Sequence, residues 1–176
     1  MSKHILLVTI DSLRGDHLGC YGERDIRTPN LDAFAGAGVR FHHHLSTLAT
    51  TLPSHTSLMT GCVPSVHGIN WNGVDRPRRR QTLAEIAAAA GYATTAITSW
   101  SGFQSQGVLG FQQAHSEFGA GADENRGDRT IERVEAWLGD VDRSEPQFLW
   151  VHFIDPHTPD NCPEPFPQTY AGEVEF

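Results

Sequence analysis

The sequence predicts an α/β fold with a mainly parallel central sheet flanked by helices. Three observations carry that prediction. Ile5–Ile10 is an unbroken apolar run, the pattern of a strand covered on both faces in a parallel sheet. Strand-like runs then alternate with helical patterns along the chain, the order that builds such a sheet. Polar residues follow these runs: Asp11 after the first, Ser99 after a middle one, Asp155 and His157 after the last. Ligands of parallel sheets gather at the carboxyl ends of the strands.

The elements follow in order. Thr28-Pro-Asn-Leu-Asp-Ala-Phe reads as a cap, a proline at the first helical position, then helix, ended by Gly36 and Gly38. Val39–Leu45 alternates in part and is expected to form a second strand. Thr51–Gly61 is expected to be a helix with Leu52 at the cap, Pro53 at the first helical position and Gly61 just past the end. Thr82-Leu-Ala-Glu85 is a capping box opening an Ala-rich helix closed by Gly91. Tyr92–Thr98 reads as a strand. From Asp128 a helix carries Ile131, Val134, Trp137 and Leu138 on one face, and Phe148–Ile154 is the last strand. Gly119–Gly127 reads as a surface loop and Asp155–Pro167 as a Pro-rich one. Tyr170–Phe176 looks like the start of a helix that stops without a cap, so a fragment is expected.

Composition narrows the function. The 176 residues suggest one domain or most of one, residues 1–176 forming a single unit. A formal net charge of −8 argues against nucleic acid or an anionic membrane as the main partner. The basic run Arg76–Arg80 reads as a solvated loop or as a patch for an anionic substrate tail. Cys20, Cys62 and Cys162 are odd in number and form no Cys-x-x-Cys. A reducing compartment fits, and a cytoplasmic location is expected. The first apolar run is too short for a secretory signal or a membrane span. Composition says nothing of oligomeric state.

Candidate chemistry centres on Thr51. If Leu52 is the cap, it has no side-chain oxygen for the first free N–H groups, which can face an anion instead. A hydroxyl placed there can attack a phosphate- or sulfate-like centre; a plain buried helix start fits the pattern as well. Threonine is a weak nucleophile that needs a metal or a base beside it. Asp11 can hold a divalent cation or cap the turn after its strand. His55, one helical turn beyond Thr51, can donate a hydrogen bond or steady a charge. His157 can protonate a leaving oxygen, since its ordinary pKa lies near neutrality. Asn72, before Gly73, can donate an amide hydrogen bond to a substrate oxygen or merely make a turn. Arg14 and Asp16 are expected to pair. His152, inside a strand, reads as packed, and His42-His43-His44 as surface.

Taken together, several segments resemble the N-terminal part of the sulfatase family, within the alkaline phosphatase superfamily. They are Ile5–Arg14 with Leu18-Gly-Cys-Tyr-Gly22, Thr28–Phe34, Thr51-x-Pro-x-His55 with Leu58-Met-Thr-Gly61, Pro64-x-x-His67-Gly68, and Asp155-Pro-His157-x-Pro159. The resemblance implies an alkaline phosphatase-like sandwich, incomplete at the C-terminus. It also implies a divalent metal ion (Ca, Mg, Mn or Zn) and hydrolysis of a small-molecule sulfate or phosphate ester through a covalent intermediate. Asp11 and Thr51 then hold the metal, Thr51 attacks, His55 and His157 assist, and Asn72 contacts the anion.

The sequence also departs from the family pattern. Thr51 stands where sulfatases carry the Cys or Ser converted to formylglycine. His55 replaces an Arg, Ser12 a second Asp, and Ser99 and Ser101 a Lys and a His. Thr-x-Pro-x-His is similar to the phosphodiesterase and nucleotide pyrophosphatase branch, and Asn72 to an Asn of phosphonate and phosphodiester hydrolases. A phosphodiesterase or phosphonate monoester hydrolase is therefore one alternative. A truncated non-catalytic domain is the other, because the family's later Asp-His-Gly ligands have no copy here and a hard cation takes about six ligands.

Overall fold

A computed structural model describes residues 3–74, 80–116, 127–155 and 157. Four strands form one parallel sheet in the order β1-β4-β2-β3: β1 is Ile5–Ile10, β2 Ala93–Thr98, β3 Gln113–His115 and β4 Gln147–Phe153. The expected parallel α/β architecture is present. Strand β4 shows why its apolar run is continuous. Phe148 and Trp150 join a core with Leu52, Met59, Ala84, Phe103 and Phe111. Leu149 and Val151 face the other way, against Val134 and Trp137. Helices α2 (Thr51–Thr60) and α4 (Leu83–Ala89) cover the first face, and α5 (Gly127–Asp140) covers the second.

Several expectations need correction. Val39–Leu45 forms no strand; His42, His43 and His44 are exposed there, so no sheet neighbour rewards their partial alternation. The first apolar run is a strand but is not buried on both faces. β1 is an edge strand of the described sheet, with Ile5, Leu6 and Val8 43%, 63% and 46% exposed. The 3₁₀ stretch Ser101–Gly110 and strand β3 carried no recognised sequence signal. Helix α1 (Pro29–Ala37) begins at its proline but runs through Gly36 to a cap at Gly38. The remaining short helix, α3, spans Pro64–His67. Tyr170–Phe176, Cys162, nearly all of the basic run and the Gly119–Arg126 part of the expected loop lie outside the described residues. Among the described residues no helix is long and apolar enough to cross a membrane.

The capping box is formed as the sequence predicts. The Glu85 N–H donates to Thr82 Oγ1 at 3.2 Å, and the Thr82 N–H donates to Glu85 Oε2 at 2.9 Å. Gly110 packs against this pair with φ +86°, and a Cβ there would lie 2.7 Å from Thr82 Oγ1. Gly110→Ala is expected to cost about 2 kcal/mol or more, from left-handed strain and a damaged cap. Chemical denaturation of the variant beside the parent chain measures it.

Candidate active site

The sheet ends and α2 together build a small polar cluster. Strand β1 stays paired past its last residue, because the Asp11 N–H donates to the Phe153 carbonyl at 2.9 Å. Ser12 then turns the chain with φ +56°, a left-handed conformation that costs a β-substituted residue energy. The Ser12 hydroxyl donates to Asp11 Oδ1 at 3.3 Å. On the facing helix, Thr51 Oγ1 donates to Asp11 Oδ2 at 3.0 Å. The two residues stand 40 positions apart and meet directly.

The start of α2 differs from expectation. Thr50 is the cap and makes no side-chain cap bond, so Thr51 is the first helical residue and Pro53 the third. Proline is tolerated there because that N–H would have no helical partner. The Leu52 N–H is not left for an anion: it donates to Asn72 Oδ1 at 2.9 Å. Asn72 thus caps α2 from another loop. That loop is tethered by His67, whose Nδ1 accepts from the Ile69 N–H at 3.1 Å. Its Nε2–H then donates to Ser57 Oγ at 2.9 Å.

His55 is pinned from both sides. A carbonyl can only accept, so His55 Nδ1–H donates to the Thr51 carbonyl at 2.8 Å. The neutral ring then offers Nε2 as an acceptor, rather than the donor expected from sequence. Burial pushes the His55 pKa down, opposed by the Thr51 carbonyl and the Asp11 charge. Its ring packs edge-on against His152 and Phe103, at 4.8 and 5.1 Å between centroids. His152 is 0% exposed. Burial, with His55 nearby, lowers its pKa to about 3.

Other expected residues sit on the neighbouring strand ends and loops. His157 is exposed, one turn beyond β4, its N–H on the Ile154 carbonyl at 2.9 Å. The hydrogen bonds of Asp11, Thr51 and His55 described above do not involve it. Ser99 is buried and spends its hydroxyl on β4, donating to the His152 carbonyl and accepting from the Ile154 N–H. Ser101 starts the 3₁₀ stretch on the surface. Arg14 and Asp16 pair at 2.6 Å, and Arg14 holds the Asp16 carboxyl below its usual range. Being exposed, that pair contributes little. The sequence gives Thr9 and Trp150 no role and His152 only a packing one, yet the structure sets Thr9 and Trp150 against His152, and His152 beside Asp11 and His55. Their only signal, the shared face of Thr9 and Asp11, means little without the register Thr9↔His152.

With this geometry in view, the comparisons with known proteins are decisive about family. A family model described as Sulfatase matches residues 3–176. The chain belongs to the sulfatase family. It is 34% identical to human Arylsulfatase D over 108 residues, covering 55% of this chain and 18% of that protein. A structure in complex with its substrate D-glucosamine-2-N,6-O-disulfate superposes with a TM-score of 0.74 at 22% identity, covering 90% of this chain and 35% of the other. Phosphonate monoester hydrolase of Agrobacterium radiobacter gives 0.74 at 23% identity, covering 93% and 43%. At those identities the structural likeness speaks for the fold. This sulfatase-family chain thus spans about a fifth of the curated relative's length.

Because His152 is neutral when folded and titrates near 6.5 when unfolded, the unfolded chain binds more protons below that pH. Its contribution to stability is complete above pH 6.5 and declines as the pH falls toward 3. At pH 5 the protein is expected to be about 2 kcal/mol less stable than at pH 7.5 from this residue alone. Denaturant titrations at the two pH values measure the difference, and His152→Leu should remove it.

Proposed function

We propose that this chain carries the nucleophile of a metal-dependent hydrolase acting on small sulfate or phosphate esters. The hydrogen bond from Thr51 Oγ1 to Asp11 Oδ2, at the first turn of α2, is the observation that supports this most. The Thr51 proton already points at a carboxylate, so the oxygen lone pairs are free to approach sulfur or phosphorus. As Oγ1 bonds to that atom, the proton passes toward Asp11 and the ester C–O oxygen departs. His157, in the loop after β4, is the residue suited to protonate that oxygen. Water then cleaves the threonine ester and regenerates the hydroxyl. The positive end of α2 and the amide N–H₂ of Asn72 favour the substrate's anionic oxygens.

The donor chemistry suits a hard divalent cation: a carboxylate oxygen of Asp11 and the hydroxyl oxygen of Thr51 lie 3.0 Å apart. Asp11 and Thr51 would hold the cation, which would offset the substrate's charge and acidify the threonine hydroxyl. Among the described residues no three His, Cys, Asp or Glu side chains converge on one point, so its other ligands come from elsewhere in this reading.

A second reading, phosphodiester or phosphonate hydrolysis, is favoured by Thr51 itself. Its β-methyl prevents conversion to an aldehyde and leaves direct attack by the hydroxyl. Parallel kcat/KM values for an aryl sulfate, a phosphate diester and an aryl phosphonate separate the two. Thr51→Ala in the intact polypeptide is expected to lower kcat about 10³-fold or more with the fold retained. A rate within tenfold of the parent removes Thr51 as nucleophile. Chelation should abolish turnover and added Mn²⁺ or Ca²⁺ restore it. No turnover and no cation binding in the parent protein would mark a non-catalytic domain.

A further inference from the structure

The polar groups beneath Asp11 form a directed chain. Trp150 Nε1–H can only donate, and it donates to Thr9 Oγ1 at 3.0 Å. Thr9 Oγ1 lies 2.9 Å from His152 Nδ1. With the indole proton on its oxygen, Thr9 has one proton of its own, and Nδ1 is the acceptor it faces. A Thr9 proton given to Nδ1 would place the imidazole proton on Nε2. Among the described residues that buried nitrogen has no hydrogen-bond partner, and Asp11 Oδ2 stands 3.9 Å from it. A buried N–H left unsatisfied is costly, so the ring has a reason to face the carboxylate.

We propose that His152 is a positioning residue that holds Asp11 through its Nε2–H, as the end of a Trp150–Thr9–His152 relay. Two donors converge on one oxygen. Thr51 occupies Asp11 Oδ2 at 3.0 Å, and His152 stands off at 3.9 Å. When Thr51 gives its proton to Asp11 and swings to the substrate, the hydrogen bond between them is broken, and the Asp11 oxygen can still accept the Nε2–H. His152 then closes on it and keeps the carboxyl group aimed at the helix end. The histidine touches neither substrate nor reacting atoms; it acts through Asp11. Carboxylates that bind metals are commonly steadied by such partners, whose removal costs 10- to 100-fold in metal affinity or activity. The His55 ring, edge-on at 4.8 Å, keeps the imidazole from turning away.

This assignment rests on the role proposed for Asp11, and the test separates the two. Imidazole ¹⁵N spectra of the full chain should show His152 protonated at Nε2, and Asp11→Asn should shift that Nε2–H signal. A proton on Nδ1, or a signal indifferent to Asp11→Asn, overturns the relay whatever the chain binds. Mn²⁺ titration supplies the second arm. His152→Leu should weaken binding about tenfold or more, while His152→Gln, whose amide N–H reaches the Nε2 position, should stay within about threefold. Thermal melts show whether both variants are folded. If Asp11→Asn abolishes Mn²⁺ binding but both His152 variants bind like the parent, the relay fails and the cation reading stands. If the parent binds no Mn²⁺ while the Nε2–H signal answers to Asp11, the cation reading fails and the relay stands.

Discussion

One hydrogen bond, from the first residue of α2 to the carboxylate past β1, organises the rest of this structure. It joins two segments that share no secondary structure, so both must be delivered independently to within 3.0 Å. The sheet supplies one side: β1 pairs with β4 along its whole length and one residue beyond. The helix supplies the other. Leu52, Thr56 and Met59 are buried along its inner face, and that burial seats its first turn over the sheet edge.

Around this contact the protein accepts local costs. Ser12 sits in a left-handed conformation, and two histidines are held neutral among Phe103 and Trp150. Neutral imidazoles are the affordable state in such a box, since a buried cation without a partner is disfavoured. Neutrality also means that each ring has one donor and one acceptor. His55 spends its donor on the Thr51 carbonyl and keeps an acceptor.

The departures from the family pattern acquire a physical meaning here. Where relatives carry a fixed positive charge, His55 provides a neutral ring that buttresses the turn holding Thr51. Where they carry a second acid, Ser12 provides a hydroxyl that donates to the first. One change removes a positive charge and the other a negative one, and each side chain hydrogen-bonds within the cluster. Ser99, at another strand end, fastens β4 instead of facing the site.

Much of this was legible in the residues themselves. The apolar runs, the Thr82–Glu85 box and Gly61 act through neighbours within a few positions, so spacing alone predicts a parallel α/β fold, a helix after Thr51 and an acid at a strand tip. Local signals misled where solvent replaced a partner, as at Val39–Leu45, and where a distant loop did a local task, as Asn72 does in capping α2. Which strand lies beside which depends on pairings between distant segments, from Thr95 with Gln113 to Ile5 with Phe148, and no local pattern records them. Only the folded sheet, by setting Thr9 beside His152 and both beneath Asp11, turns a histidine that reads as packing into a member of the site.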